Sequence, residues 1–229
     1  MKLKLLILAV LALSLAQSSY AAELETQQQK YSYAVGLQIG QMLVAQDATN
    51  LDIDAFSAAV SDFLQKKQPQ LKQEEMQAAL KAHFDKLKEV KNALAKENLE
   101  KGKKYREEDA KREGVTVLEN GLQFEVLTPG DGPSPKAEDK VEVHYKGTLI
   151  DGTMFDSSYS RGKPTQFSLN GVVPGFREAI SRMQPGAKWR VVMPPELAYG
   201  VKGAGKKIGP NETLVFEIEY LGLATPPQK

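Results

Sequence analysis

Proline is spread very unevenly along this chain, and that distribution constrains the fold more than any other feature. Between Glu25 and Glu113 there is one, Pro69; every other one of the 12 lies beyond Gly114, alongside most of the glycines. Proline removes a backbone donor and breaks a helix interior. The first stretch can therefore be helical almost throughout, and the second cannot. The expected architecture is α+β: an all-α N-terminal region, a long spacer helix, then an antiparallel β-sheet wrapped around one short helix.

Two apolar stripes at helical spacing open the first region. Tyr31, Val35, Ile39 and Met42 form one, with Leu43 beside them. Ile53, Phe56, Val60, Phe63 and Leu64 form the other, with Asp52 placed as an N-cap and "KKQPQ" ending the helix at Pro69. Two short helices cannot bury both stripes between themselves. Either a second copy of the chain covers them, making residues 22–70 a dimerisation domain, or they pack on the β domain.

Residues 71–113 read as one helix about 60 Å long at 1.5 Å per residue. Met76, Leu80, Phe84, Leu87 and Leu94 mark a stripe in its first half. Beyond Leu99 comes "EKGKKYREEDAKREG", with both charge signs interleaved for i,i+4 pairing on an exposed face. The distal half is expected to stand in solvent as a spacer, with Gly102 the place where it would break.

"MKLKLLILAVLALSLAQSSYAA" reads as a secretory signal peptide over residues 1–21. Lys2 and Lys4 precede an apolar run from Leu5 to Leu15, and Ser19 and Ala21 supply the small residues of a cleavage site, with cleavage after Ala22 the second choice. The run is short for a membrane span. A periplasmic or secreted protein with no membrane span after processing is expected. The absence of cysteine excludes disulfides, thiol catalysis, cysteine-ligated metal and lipid attachment at cysteine. Lysine plus arginine total 30 against 29 acidic residues, so the basic excess of a nucleic-acid binder is missing and no such partner is expected.

The second region, 114–229, has β grammar. In "DKVEVHYKGTLIDGTMFD" Val141, Val143 and Tyr145 share one face, against Glu142, His144 and Lys146 on the other. Asp151-Gly152 signals a hairpin turn. "GLQFEVLTPG", "TQFSL", "AKWRVVMPP" and "TLVFEIEYLGL" supply further strands, about five in all. "PGFREAISRM" is the short helix, with Pro174 near its start.

The stretch from Gly200, G-V-K-G-A-G-K-K, comes within one residue of the phosphate-binding pattern G-x-x-x-x-G-K-[ST]. Lys207 stands where a metal-binding hydroxyl is required, and Gly209-Pro210 prevents the helix that must follow. The segment reads instead as a glycine-rich flap of the kind that borders binding sites. His83 and His144 have no partner pattern, and His144 is placed outward on its strand as a solvated residue. No metal pair or nucleophile elbow occurs. An enzyme of this composition should need no nucleophile, metal or cofactor.

"VEVHYKGTLIDGTMFDSS", "RGKPTQFSL", "VVPGFREAISRMQPGAKWRVVMPPELAYG" and "IGPNETLVFEIEYLGL" together resemble the FKBP-type peptidyl-prolyl cis-trans isomerases, in one register from about Gly121 to Leu223. The front end, with "KYSYAVGLQIGQML" and the long charged helix, resembles the secreted Mip-like (macrophage infectivity potentiator) branch, in which the helices dimerise into a V-shaped homodimer. The resemblance implies a proline pocket. Tyr199, Asp156 and Phe155 match the family's catalytic positions; Tyr145, Phe167, Val172, Val173, Phe176, Ile208 and Phe216 match its substrate-binding ones. It further implies a Val173 amide that holds ligand, a Tyr199 hydroxyl for a bound carbonyl, and macrolides such as tacrolimus or rapamycin as inhibitors. The usual tryptophan floor is Phe176 here, which bears on macrolide affinity more than on activity. An aromatic wall position of some members falls on Thr165, and the sole tryptophan, Trp189, lies away from the pocket positions.

The implied activity assists folding of exported proteins through their proline-containing segments, without cofactor or covalent intermediate. The competing expectation is a dimeric holdase chaperone that grips unfolded chains, with little isomerase role.

Overall fold

The computed structural model describes residues 24–46 and 48–224. The expected signal peptide lies outside the described residues. The chain divides into two compact units, residues 1–72 and 73–229.

The first unit holds α1 (Gln27–Ala45) and α2 (Ile53–Leu64). Thr26 caps α1 through a reciprocal box, its hydroxyl accepting from Gln29 N–H while the Gln29 amide oxygen accepts from Thr26 N–H. Asp52 caps α2 by accepting from Ala55 N–H at 2.9 Å. That helix ends before Pro69 is reached: Gln65 is its C-cap, and Lys66 turns the chain at φ 56°. Neither helix has a buried residue. Ile53, Phe63 and Leu64 are 64%, 84% and 75% exposed in the single chain.

The second unit begins with α3 (Gln73–Asp109), a continuous helix of 37 residues, about 55 Å long at 1.5 Å per residue. Its first half carries Met76, Leu80, Phe84, Leu87 and Leu94 exposed. Its second half departs from the expectation of a solvated spacer. Asn98, Gly102 and Asp109 are buried, because this half packs on the β domain. Asp109 accepts from Arg190 at 2.9 Å and from Arg112 at 3.1 Å. Arg190 also donates to the Tyr105 hydroxyl, and the Gln123 amide donates to the Arg106 carbonyl. The helix runs unbroken through Gly102, where a side chain would collide with Thr213. The glycine serves close approach, and charge interleaving in the sequence concealed a polar docking face.

A seven-stranded sheet follows: β1 (Val115–Val117), β2 (Gln123–Thr128), β3 (Lys140–Leu149), β4 (Met154–Ser157), β5 (Thr165–Ser168), β6 (Lys188–Met193) and β7 (Leu214–Leu223). All pairings are antiparallel, in the order β1-β2-β6-β7-β3-β4, with β5 also on β3. The strands beyond the expected five are the very short β1 and the second arm of the Asp151-Gly152 hairpin. In β3 the alternation holds, with Val141 and Val143 wholly buried and Tyr145 5% exposed. The helix α4 (Pro174–Ile180) starts on Pro174 and buries Phe176, Ala179 and Ile180 against the sheet's residues. Trp189 lies in this core, stacked on Phe124 at 4.3 Å.

β3 has two partners on one edge, β5 along Lys140–Val143 and β4 along Lys146–Thr148. Between them the Tyr145 N–H would lack an acceptor, and the wholly buried Ser158 hydroxyl supplies it at 2.8 Å. His144 is therefore not a solvated residue. Its ring stacks on Tyr159 at 4.6 Å and its Nδ1 lies 3.0 Å from Ser158 Oγ. Burial and the hydrogen bond to Glu219 push the Tyr159 hydroxyl up to about 12.

Candidate active site

The break between β5 and β4 leaves the middle of β3 facing an open cavity of about 230 Å³. β3 contributes Tyr145, β4 Phe155 and Asp156, β5 Phe167, and β7 Phe216. Gly171, Val172 and Val173 arrive on the segment before α4, Phe176 on that helix, and Tyr199 after the turn at Pro195–Leu197. The wall is apolar because strand alternation and one helix turn aim these rings inward from four strands and a helix.

The rings meet edge to face. Phe176 lies 5.4 Å from Phe216, 5.8 Å from Phe167 and 5.9 Å from Tyr145, at interplanar angles of 71°, 78° and 82°. Phe155 meets Phe216 at 5.5 Å and 79°. Such herringbone contacts satisfy the ring quadrupoles and stiffen the wall. Gly147 makes them fit, since a Cβ there would lie 2.5 Å from the Phe155 ring.

One polar cluster is set into this wall. The Tyr145 hydroxyl donates to Asp156 Oδ2 at 2.5 Å, and Arg161 Nη1 pairs with Asp156 Oδ1 at 2.5 Å. Arg161 Nη2 donates to the Tyr145 oxygen at 2.8 Å and to Thr165 Oγ1 at 3.1 Å. The guanidinium also sits 5.5 Å from the Tyr145 ring centre. Burial raises the Asp156 carboxyl, but the bonds from Tyr145 and Arg161 and the Arg161 charge outweigh it, leaving the group below its ordinary value. Burial, then the bond to Asp156, raise the Tyr145 phenol. The aspartate is ionised and the phenol neutral at neutral pH, which suits orientation rather than proton exchange.

The structure thus brings Tyr145, Phe155, Asp156, Phe167, Val172, Val173, Phe176, Tyr199 and Phe216 around one cavity. Ile208 is not in its wall. It is 8% exposed, packs in the same core, and closes a backbone pair with Ala204. Arg161, Gly147 and Ser158 were missed as contributors. Arg161 begins the motif "RGKPTQFSL", so its signal was present in the sequence; its partner Asp156 shows only in space.

Comparison with known proteins identifies the family. Residues 132–221 match the family model for the FKBP-type peptidyl-prolyl cis-trans isomerase, and residues 28–126 that for the domain amino terminal to it. The FKBP-type 22 kDa peptidyl-prolyl cis-trans isomerase of Escherichia coli is 44% identical over 197 residues, covering 86% of this chain and 96% of its own. The peptidyl-prolyl cis-trans isomerase Mip of Coxiella burnetii is 40% identical over 229 residues, 96% of this chain and 99% of that one. The crystal structure of FkpA from Escherichia coli superposes with a TM-score of 0.62 at 39% identity, covering 90% of this chain and all of that one (100%). The chain belongs to the FKBP-type peptidyl-prolyl cis-trans isomerases, with the helical front end of their Mip-like members.

Proposed function

We propose that the ring-lined cavity is where this isomerase binds proline, and that it acts on exported proteins as they fold. The supporting observation is the cavity itself, apolar rings around a single ionised, doubly anchored carboxylate. Rotation about an X–Pro bond crosses a barrier near ~20 kcal/mol, set by amide resonance. The planar amide is polar because its nitrogen donates to the carbonyl, and the twisted state has lost that donation. An apolar wall disfavours the planar form relative to the twisted one and holds the ring while the flanking chain turns.

Three groups would orient the peptide: the Tyr199 hydroxyl, the Val173 N–H and the Asp156 carboxylate. Tyr199 is 39% exposed at the rim, and the Val173 N–H has no backbone acceptor among the described residues. With Phe176 as floor, macrolides such as tacrolimus or rapamycin are taken as weaker ligands than in tryptophan-floored members. The test is isomerisation of peptides varying the residue before proline. Replacing Tyr199 by Phe together with Asp156 by Leu abolishes activity if the cavity is the site; unchanged activity overturns it.

The exposed stripes of α1, α2 and the first half of α3 favour a second reading beside this one. A homodimer through residues 22–70 covers the stripes of α1 and α2, and the apolar surface left on α3 grips unfolded chains. Under that reading the double variant above still suppresses aggregation of a denatured client. Loss of suppression together with isomerisation argues against a separate holdase surface.

A further inference from the structure

The flap Gly200–Gly209 is exposed at Val201, Lys202 and Gly205 to Lys207, while Ala204 and Ile208 pack on the core. Among the described residues, its middle is closed by the Ala204–Ile208 pair, with N–H···O distances of 2.9 and 3.2 Å, and by Lys207 Nζ at 3.4 Å from the Phe155 carbonyl. Its base is held differently. Asn211 N–H donates to the Gly200 carbonyl at 2.9 Å, tying the two ends of the flap together next to Tyr199. Asn211 does this at φ 55°, a conformation uncommon outside glycine.

What fixes Asn211 there is α3. The Asn98 amide, in a residue only 8% exposed, donates to the buried Pro210 carbonyl at 2.9 Å. The Asn211 amide returns a bond to the Ala95 carbonyl at 3.2 Å. Two turns beyond Asn98, Arg106 donates to the hydroxyl of the wholly buried Thr213, over Gly102. Two reciprocal amide bonds and a glycine contact thus seat residues 210–213 on one helical face.

We infer that Asn98 and Asn211 are positioning residues for isomerisation: α3 sets the base of the flap and, through Gly200, the orientation of Tyr199 at the cavity rim. The inference rests on the proposed prolyl cavity. A loosened rim would hold planar and twisted prolyl units equally less well, so the effect falls on KM. General destabilisation would instead reduce the active fraction and lower apparent kcat.

The test compares the full chain with Asn98→Asp, nearly isosteric but unable to donate when ionised, and Asn211→Gly, which accepts the positive φ and deletes only the side-chain bond. Amide hydrogen exchange is followed without peptide, and KM and kcat with a proline tetrapeptide. Both variants should exchange faster at Ala204 and Ile208 by about tenfold, with β3 and β7 amides unchanged. KM should rise about fivefold with kcat within about twofold. Unchanged flap exchange overturns the inference, as does faster exchange with unchanged KM. A wild-type chain inactive on every peptide would sink the cavity reading instead, and the exchange result would stand apart from it.

Discussion

At the scale of single residues the proposed prolyl cavity turns on Asp156. Its two oxygens take the Tyr145 hydroxyl and Arg161, and its backbone neighbour Ser157 N–H adds a third bond at 2.8 Å. Replacing Asp156 by Asn removes the charge Arg161 answers while keeping the shape. Isomerase kcat/KM should fall about tenfold, the equivalent of one charge-assisted hydrogen bond of about 1.5 kcal/mol. Circular dichroism should show the fold intact. The pH response follows from the sign of its shift. A carboxyl held below its ordinary 3.8 contributes stability above that value, and loses it as pH falls through the lowered one. Activity should be flat from about pH 6 to 8 and decline only below about pH 4, which a pH–rate profile checks. The aromatic members of this site were legible because four motifs stood in order along the chain. The pairing of Arg161 was not, although the residue opens one of those motifs, because it is a distance to Asp156 and Tyr145 created by the turn at Tyr159–Arg161.

At the scale of elements α3 is the part that sequence reading divided wrongly in kind. Its apolar stripe ends near Leu94, and pattern alone assigns the rest to solvent. Yet Asn98, Gly102 and Asp109 are buried, through hydrogen bonds and a small residue rather than an apolar stripe. Periodicity of hydrophobicity cannot register such a face. A consequence is measurable by thermal unfolding. A chain beginning at residue 73 should melt as the full-length β domain does. One beginning at residue 111 leaves Arg190 and Pro210 without their partners, and should melt roughly 10 °C lower, from the cost of breaking a part-buried ion pair. Equal midpoints would mean the helix contacts are energetically idle.

For the whole molecule the outstanding quantity is its oligomeric state. Phe63 and Leu64 are the most exposed large apolar side chains of α2, too costly to leave in water over a whole stripe. Replacing both by Glu should convert a dimer to a monomer in sedimentation equilibrium at micromolar concentration, with tetrapeptide isomerisation unchanged. A wild-type chain that sediments as a monomer would refute the dimerisation domain. By itself the sequence determined the α+β order, the helix and strand periodicities, the cap at Asp52 and the family of the ring-bearing motifs, since these depend on local spacing along one chain. Only the tertiary structure decided that Ser158 bridges a split strand edge, that Gly147 makes room for two rings, and that α3 grips the loop behind the flap. Each of those is a close approach between residues on different elements, and no local pattern encodes a distance across the fold.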